Sequence, residues 1–297
     1  MINPLITKQR IANKYKSDYS NSYYYNYYLT MTSLFSFRKN GLQEIAVISS
    51  NDCELNRLFS KADNRFYRHE LSQMIENIMR GLMEYGRVYL ELETEYEKAG
   101  TENKRLKAIQ PKIIYGEIRG AQKSNYILYS PDYYTGEVRQ IKVAKNQIVI
   151  FDLKDIGLKR KCFREALRKI GKCDITKTTT ALIENTKEYD YEFHSRKADL
   201  LMLKATKEIG YVFKYEEISD SYILYRKLKQ DKLKLKILDY IIDRLNNGLL
   251  LCAGKTAKDD SFGSVELNIK RLEYDKLWKQ YSEGKITTTQ LNSIIFN

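Results

Sequence analysis

The chain has 297 residues, 43% hydrophobic and 30% charged, a globular composition long enough for one or two cored domains. Its 51 Lys and Arg against 38 Asp and Glu leave a net charge of +13, a surplus that either meets phosphates or is carried as solvated surface. No apolar run approaches the ~18 residues of a membrane span, MINPLITKQR lacks a signal-peptide core, and Cys53, Cys162, Cys173 and Cys252 form no C-x-x-C pair, so free thiols, no zinc and an intracellular setting without membrane contact are expected.

Residues 2–37 read as helical and carry Tyr19, Tyr23, Tyr24, Tyr25, Tyr27 and Tyr28. Rings interleaved with Lys14, Lys16 and Arg38 are able to stack on bases. The preferred reading is that Tyr23, Tyr24, Tyr25, Tyr27 and Tyr28 pack between helices and between subunits. Asn40-Gly41 signals a turn. In residues 42–49, periodicity does not separate strand from helix. Residues 51–59 predict a short helix capped by Asn51 or Asp52.

Two periodicities meet at Gly86. Before it, Leu71, Met74, Ile75, Ile78, Met79, Leu82 and Tyr85 recur at helical spacing. Gly86 suits the left-handed residue that ends a helix. After it the period is two, with Val88, Leu90 and Leu92 on one face and Tyr89, Glu91 and Glu93 on the other. A charged connection follows, then four β-rich runs with turn signals at Gly116, Gly120, Ser130-Pro131-Asp132, Gly136 and Lys145-Asn146. The expectation over 86–153 is one mixed sheet against the preceding helix.

From Gly157 a basic helix is predicted, with Phe163, Ala166, Leu167 and Ile170 on its apolar side. A long helix from Asp174 to Gly210 comes next. Residues 211–226 fit a strand pair or a bent helix. Residues 226–245 are helical, and Gly248 opens a strand, GLLLCAG, paired through a polar turn with SVELNIK. The tail reads as two helices hinged at Glu283-Gly284, the second capped by Thr287. The chain is thus α+β, a mixed and mainly antiparallel sheet flanked by helices, with a long helix and a helical tail. Its segments are 1–60, 61–157, 158–247 and 248–297.

Signals for chemistry are weak. Gly254-Lys255-Thr256 imitates a phosphate loop, but the motif needs a glycine where Leu249 stands. Glu91 and Glu93 share a strand face, which alternation on a solvated strand explains without a metal. His69 near a helix start and His194 in a charged helix read as surface or capping residues before they read as catalytic bases. The expectation is a protein that is not an enzyme and takes no cofactor.

Residues 56–210 resemble the portal proteins, the head-to-tail connectors, of tailed bacteriophages. The likeness is in motif order: LFSKADNRF, the helix ending EYGRVYLEL, LKAIQPKII, GEVRQIKVAKNQIVIFDL and GLKRKCFREALRKI. YYYNYYLTMTSLFSFRKNGL looks like the opening aromatic helix of some connectors, and GLLLCAGKTAKDDSFGSVELN like a later strand pair. The resemblance implies a wing-like sheet, a stem-like helix and a closed ring of about twelve subunits. That ring passes double-stranded DNA and docks a packaging motor and tail or adaptor proteins, in a virion assembled from subunits made in the host cytoplasm. It places Arg226, Lys227, Lys229, Lys232, Lys234 and Lys236 toward DNA or the motor. The chain is short for that family, and +13 is unusual for a channel along which DNA slides. The alternative is a basic nucleic-acid-binding accessory protein of a phage or mobile element.

Overall fold

A computed structural model describes residues 32–34, 37, 44–60, 68–99, 103–131, 137–166, 196, 200, 203, 204, 206, 207, 209, 210, 219–256, 259 and 261–296. They fall into two compact units. Those of the first belong to Arg38–Arg160 and Leu238–Ile269, and those of the second to Asp18–Phe37, Lys161–Ile237 and Lys270–Asn297. The tyrosine cluster, Leu167, Ile170, Cys173, His194 and most of 174–210 lie outside the described residues.

The first unit begins with β1 (Ala46–Ile48) and α1 (Glu54–Ser60). Asn51 and Asp52 sit in the turn before α1, and Cys53 immediately precedes the helix. The Asn56 N–H reaches Cys53 Sγ at 3.4 Å, so the cap is a thiol, in place of the expected Asn51 or Asp52. Helix α2 (Arg68–Tyr85) buries the predicted stripe, Leu71 through Leu82. Gly86 then takes φ 75°, and its N–H bonds the Leu82 carbonyl at 2.8 Å. A Cβ there would lie 2.1 Å from the Arg160 carbonyl oxygen, so both conformation and space demand glycine.

Strand β2 (Arg87–Ala99) leaves this joint directly. It pairs antiparallel with β3 (Asn103–Ile114) and with β7 (Ile148–Asp152), in the order β3-β2-β7. Val88, Leu90 and Leu92 are fully buried, as alternation predicts. Tyr89, placed by the same alternation on the exposed face, is also buried. The reason is a second antiparallel sheet, made of β4 (Glu117–Ala121), β5 (Asn125–Pro131) and β6 (Val138–Ala144). Its Leu128 and Val143 close over Tyr89, Ile114 and Ile148 in one apolar cluster. Residues 86–153 therefore form two sheets instead of one, because the second face of β3-β2-β7 carries too much apolar surface to leave wet. A 3-10 turn, Lys145–Gln147, joins β6 to β7 where the turn was expected.

Helix α3 (Asp220–Cys252) has 33 residues, and its portion from Leu238 onward belongs to this unit. Leu238, Ile241, Leu245, Leu249 and Cys252 are buried at three- and four-residue spacing. Full burial is worth about 1.5–3 kcal/mol for each leucine or isoleucine. GLLLCAG, read from sequence as a strand, is thus the end of this helix. A short apolar run fits either period, and the stripe already running through Leu245 decides it. Gly248 lets the helix approach β7, where Val149 Cγ2 would stand 2.2 Å from any Cβ. The SVELNIK segment does hold a strand, β8 (Val265–Leu267), but its antiparallel partner is β1. The undecided run 42–49 therefore contains β1.

In the second unit, residues 162–166 are helical, with Phe163 and Ala166 buried as predicted. Gly210 has φ 76° and donates to the Thr206 carbonyl, as expected of a helix end. Of the ambiguous stretch 211–226, the residues from Asp220 onward are helix. Helices α4 (Tyr274–Ser282) and α5 (Thr288–Phe296) turn at Gly284, φ 72°. The Gln290 N–H donates to Thr287 Oγ1, and the Thr287 N–H donates to Gln290 Oε1, a reciprocal cap on the residue the sequence singled out.

Candidate nucleic-acid interface

The first half of α3 carries six basic residues, and helical geometry distributes them to different sides. Arg226 is 2% exposed. Its guanidinium donates to Thr206 Oγ1 at 2.6 Å and to the Leu203 carbonyl, and lies over the Tyr222 ring. Lys227 is paired with Asp231 one turn on, at 2.6 Å. Lys234 is buried and donates to the Ser33 carbonyl at 2.9 Å. Arg226 and Lys234 tie α3 to other segments of the second unit, while the Lys227 pair lies within the helix. Two of the residues placed toward DNA, Arg226 and Lys234, thus present no surface within their unit.

Burial lowers the Lys234 pKa from its ordinary value to about 8, against the opposing pull of Asp231. Between about 8 and 10.5 the unfolded chain holds a proton that the folded chain has released, so stability rises with pH across that window. Buried groups of the opposite sign act against this trend: the thiols of Cys252 and Cys162, both raised by burial, from near 9, and Tyr115 and Tyr240, pushed up to about 12, from near 10. Chemical denaturation should therefore show wild type gaining on the order of 2 kcal/mol relative to Lys234→Met between pH 8 and 10, a comparison in which the thiols and phenols cancel.

The other three, Lys229, Lys232 and Lys236, share a face at three- and four-residue spacing. Lys229 donates to the Lys207 carbonyl at 3.1 Å, Lys232 pairs with Asp275 at 2.6 Å, and Lys236 is exposed. All three line a groove of about 500 Å³ whose floor is Tyr225, Leu228, Leu233, Tyr274 and Trp278. The aromatic side of this groove was missed in the sequence. Its available signal was a pair of i, i+3 couples, Tyr222 with Tyr225 and Trp278 with Tyr281, the second containing the chain's one tryptophan.

Elsewhere the predicted sites resolve into structure. Glu93 and Glu95 face Lys112 and Lys107 across the β2–β3 ladder at 3.5 and 3.2 Å. Burial, and then the neighbouring Glu93, raise the Glu91 pKa. Among the described residues no group of His, Cys, Asp and Glu is placed to hold a metal. Gly254-Lys255-Thr256 follows a helix, whereas a phosphate loop precedes one, and Lys255 pairs with Glu54 at 3.1 Å. Cys53, Cys162 and Cys252 are free thiols, and burial pushes Cys252 up to about 11. No described helix is long and apolar enough to cross a membrane.

No protein-family model matches this chain. No curated protein matches it. Among solved structures it is similar to a chain of the virion of a native gene transfer agent particle, with TM-score 0.42 and 12% identity over 98% of this chain and 97% of that one.

Proposed function

We propose that the chain is a structural subunit of a phage-type particle, a connector-like protein that forms a ring at the head-to-tail vertex through which double-stranded DNA is packaged and ejected. The observation that carries the reading is the helix–glycine–strand joint of α2, Gly86 and β2, followed by antiparallel strands to Asp152. In that order these elements hold the motifs that resemble portal proteins. On this reading the chain is no enzyme and takes no cofactor. It assembles with itself and docks a motor and tail proteins. A second reading, a basic nucleic-acid-binding accessory protein, draws on Lys229, Lys232 and Lys236 around one groove.

The test is native mass by light scattering coupled to size exclusion, at ~0.15 and ~0.5 M salt so that charge-driven aggregation is screened. The connector reading expects one discrete assembly of roughly ten or more subunits at both salts. A salt-independent monomer or dimer overturns it for the isolated protein and favours the accessory reading.

A further inference from the structure

The aromatic floor of the groove belongs to a longer row. Ring centroids follow one another from Tyr222 to Tyr225 at 6.3 Å, to Trp278 at 4.9 Å and to Tyr281 at 5.5 Å. Neighbouring planes are tilted by 34° to 53°, so the row is not a closed stack. Two elements supply it, α3 with Tyr222 and Tyr225 and α4 with Trp278 and Tyr281. Tyr222 and Tyr225 are each 38% exposed. A run of half-open rings offers flat aromatic surface that a ligand can cover. Beside it, Lys229, Lys232 and Lys236 line the same groove.

We infer that this face binds single-stranded nucleic acid, with unpaired bases lying against Tyr225 and Trp278 and the sugar-phosphate backbone following the three lysines. The combination is specific to a single strand, because a duplex hides the base faces that rings would cover. Asp275 is the carboxylate that opposes a phosphate here, and it holds Lys232. That pair is open to solvent, with 56% of the lysine and 81% of the aspartate side chain exposed, so it is weak and exchangeable. The inference deepens the accessory reading by naming the class of nucleic acid, and it does not depend on the connector reading. It is tested on whatever assembly the mass measurement finds, so either can fail without the other.

Trp278 is the chain's single tryptophan and reports directly. Titration with an oligothymidylate of about 20 nucleotides should quench its emission saturably. In anisotropy with the labelled strand, Tyr225→Leu should weaken binding about tenfold. The double change Lys229→Ala and Lys236→Ala should reduce the slope of log affinity against log salt by about 1.4. Asp275→Asn, a surface change that frees Lys232, should tighten binding roughly threefold. Unquenched emission, or a duplex or polyglutamate bound as tightly as the single strand, overturns the inference. So does an Asp275→Asn variant that binds no better than wild type.

Discussion

Gly86→Ala should lower stability by roughly 3–5 kcal/mol, while the same change at Gly157 should cost only about 1–2 kcal/mol. The two residues have nearly the same backbone, φ 75° and 79°, so left-handed strain is common to both. Their surroundings differ. A Cβ on Gly157 would meet nothing within 4 Å, whereas on Gly86 it would meet the Arg160 carbonyl oxygen at 2.1 Å and Arg160 Cβ at 2.6 Å. A backbone carbonyl does not rotate away as a side-chain tip does, so the joint itself must open. That opening strains two further ties: the Gly86 N–H to the Leu82 carbonyl and the Leu153 N–H to the Gly86 carbonyl. Urea denaturation of both variants checks the difference through the midpoint at unchanged slope. Equal losses would mean that the close approach of 160 to 86 contributes nothing.

The second large effect is expected at Asp152, which closes the same joint. Its carboxylate is 7% exposed and accepts from Arg87 Nε at 2.9 Å and from Arg160 Nε at 2.8 Å, with further bonds from both guanidinium groups. It also accepts from the Lys154 N–H at 3.1 Å, capping the 3-10 turn Leu153–Ile156. Meanwhile the Asp152 N–H donates to the Tyr240 hydroxyl at 2.8 Å, and that hydroxyl donates to Asp155 at 2.7 Å. Asp152→Ala removes the anion between two cations and should cost about 2–4 kcal/mol. The lower part of that range reflects the arginines, whose side chains remain 32% and 36% exposed and regain water. In an Arg160→Ala background, Asp152→Ala should cost less, because fewer charges are left unpaired. A double-mutant cycle that comes out additive would sink this account.

Local rules carried the reading of the sequence wherever one rule decided. The α2 stripe, the stop at Gly86, the turn at Lys145, and Thr287 as the cap of α5 each follow from a single residue type at a single spacing. The misreadings arose where a distant part of the chain decided. Tyr89 alternates with Glu91 and Glu93, and only the second sheet, arriving after residue 117, turns it inward. GLLLCAG is compatible with both periods, and its helical state depends on the stripe that begins at Leu238 and on Val149. The basic run 226–236 shows the same limit for the site. Composition counts six cations, but whether a lysine meets solvent, like Lys236, or a buried carbonyl, like Lys234, depends on what packs against each face of the helix. The aromatic half of the groove was legible only as two i, i+3 couples, because bringing Trp278 to Tyr225 joins residues of separate helices.

The pairing of β1 with β8 sets a timetable for synthesis. Ala46 emerges from the ribosome early, yet its partner Leu267 follows only after the intervening chain has been made, a delay of roughly 10–45 s at ordinary elongation rates. Throughout that interval Ile45 and Ala46, both fully covered in the finished protein, have no strand beside them. The first unit therefore completes itself only once residue 267 has emerged. Nascent chains halted before residue 265 should be bound by chaperones and cleaved by proteases that the full-length protein resists.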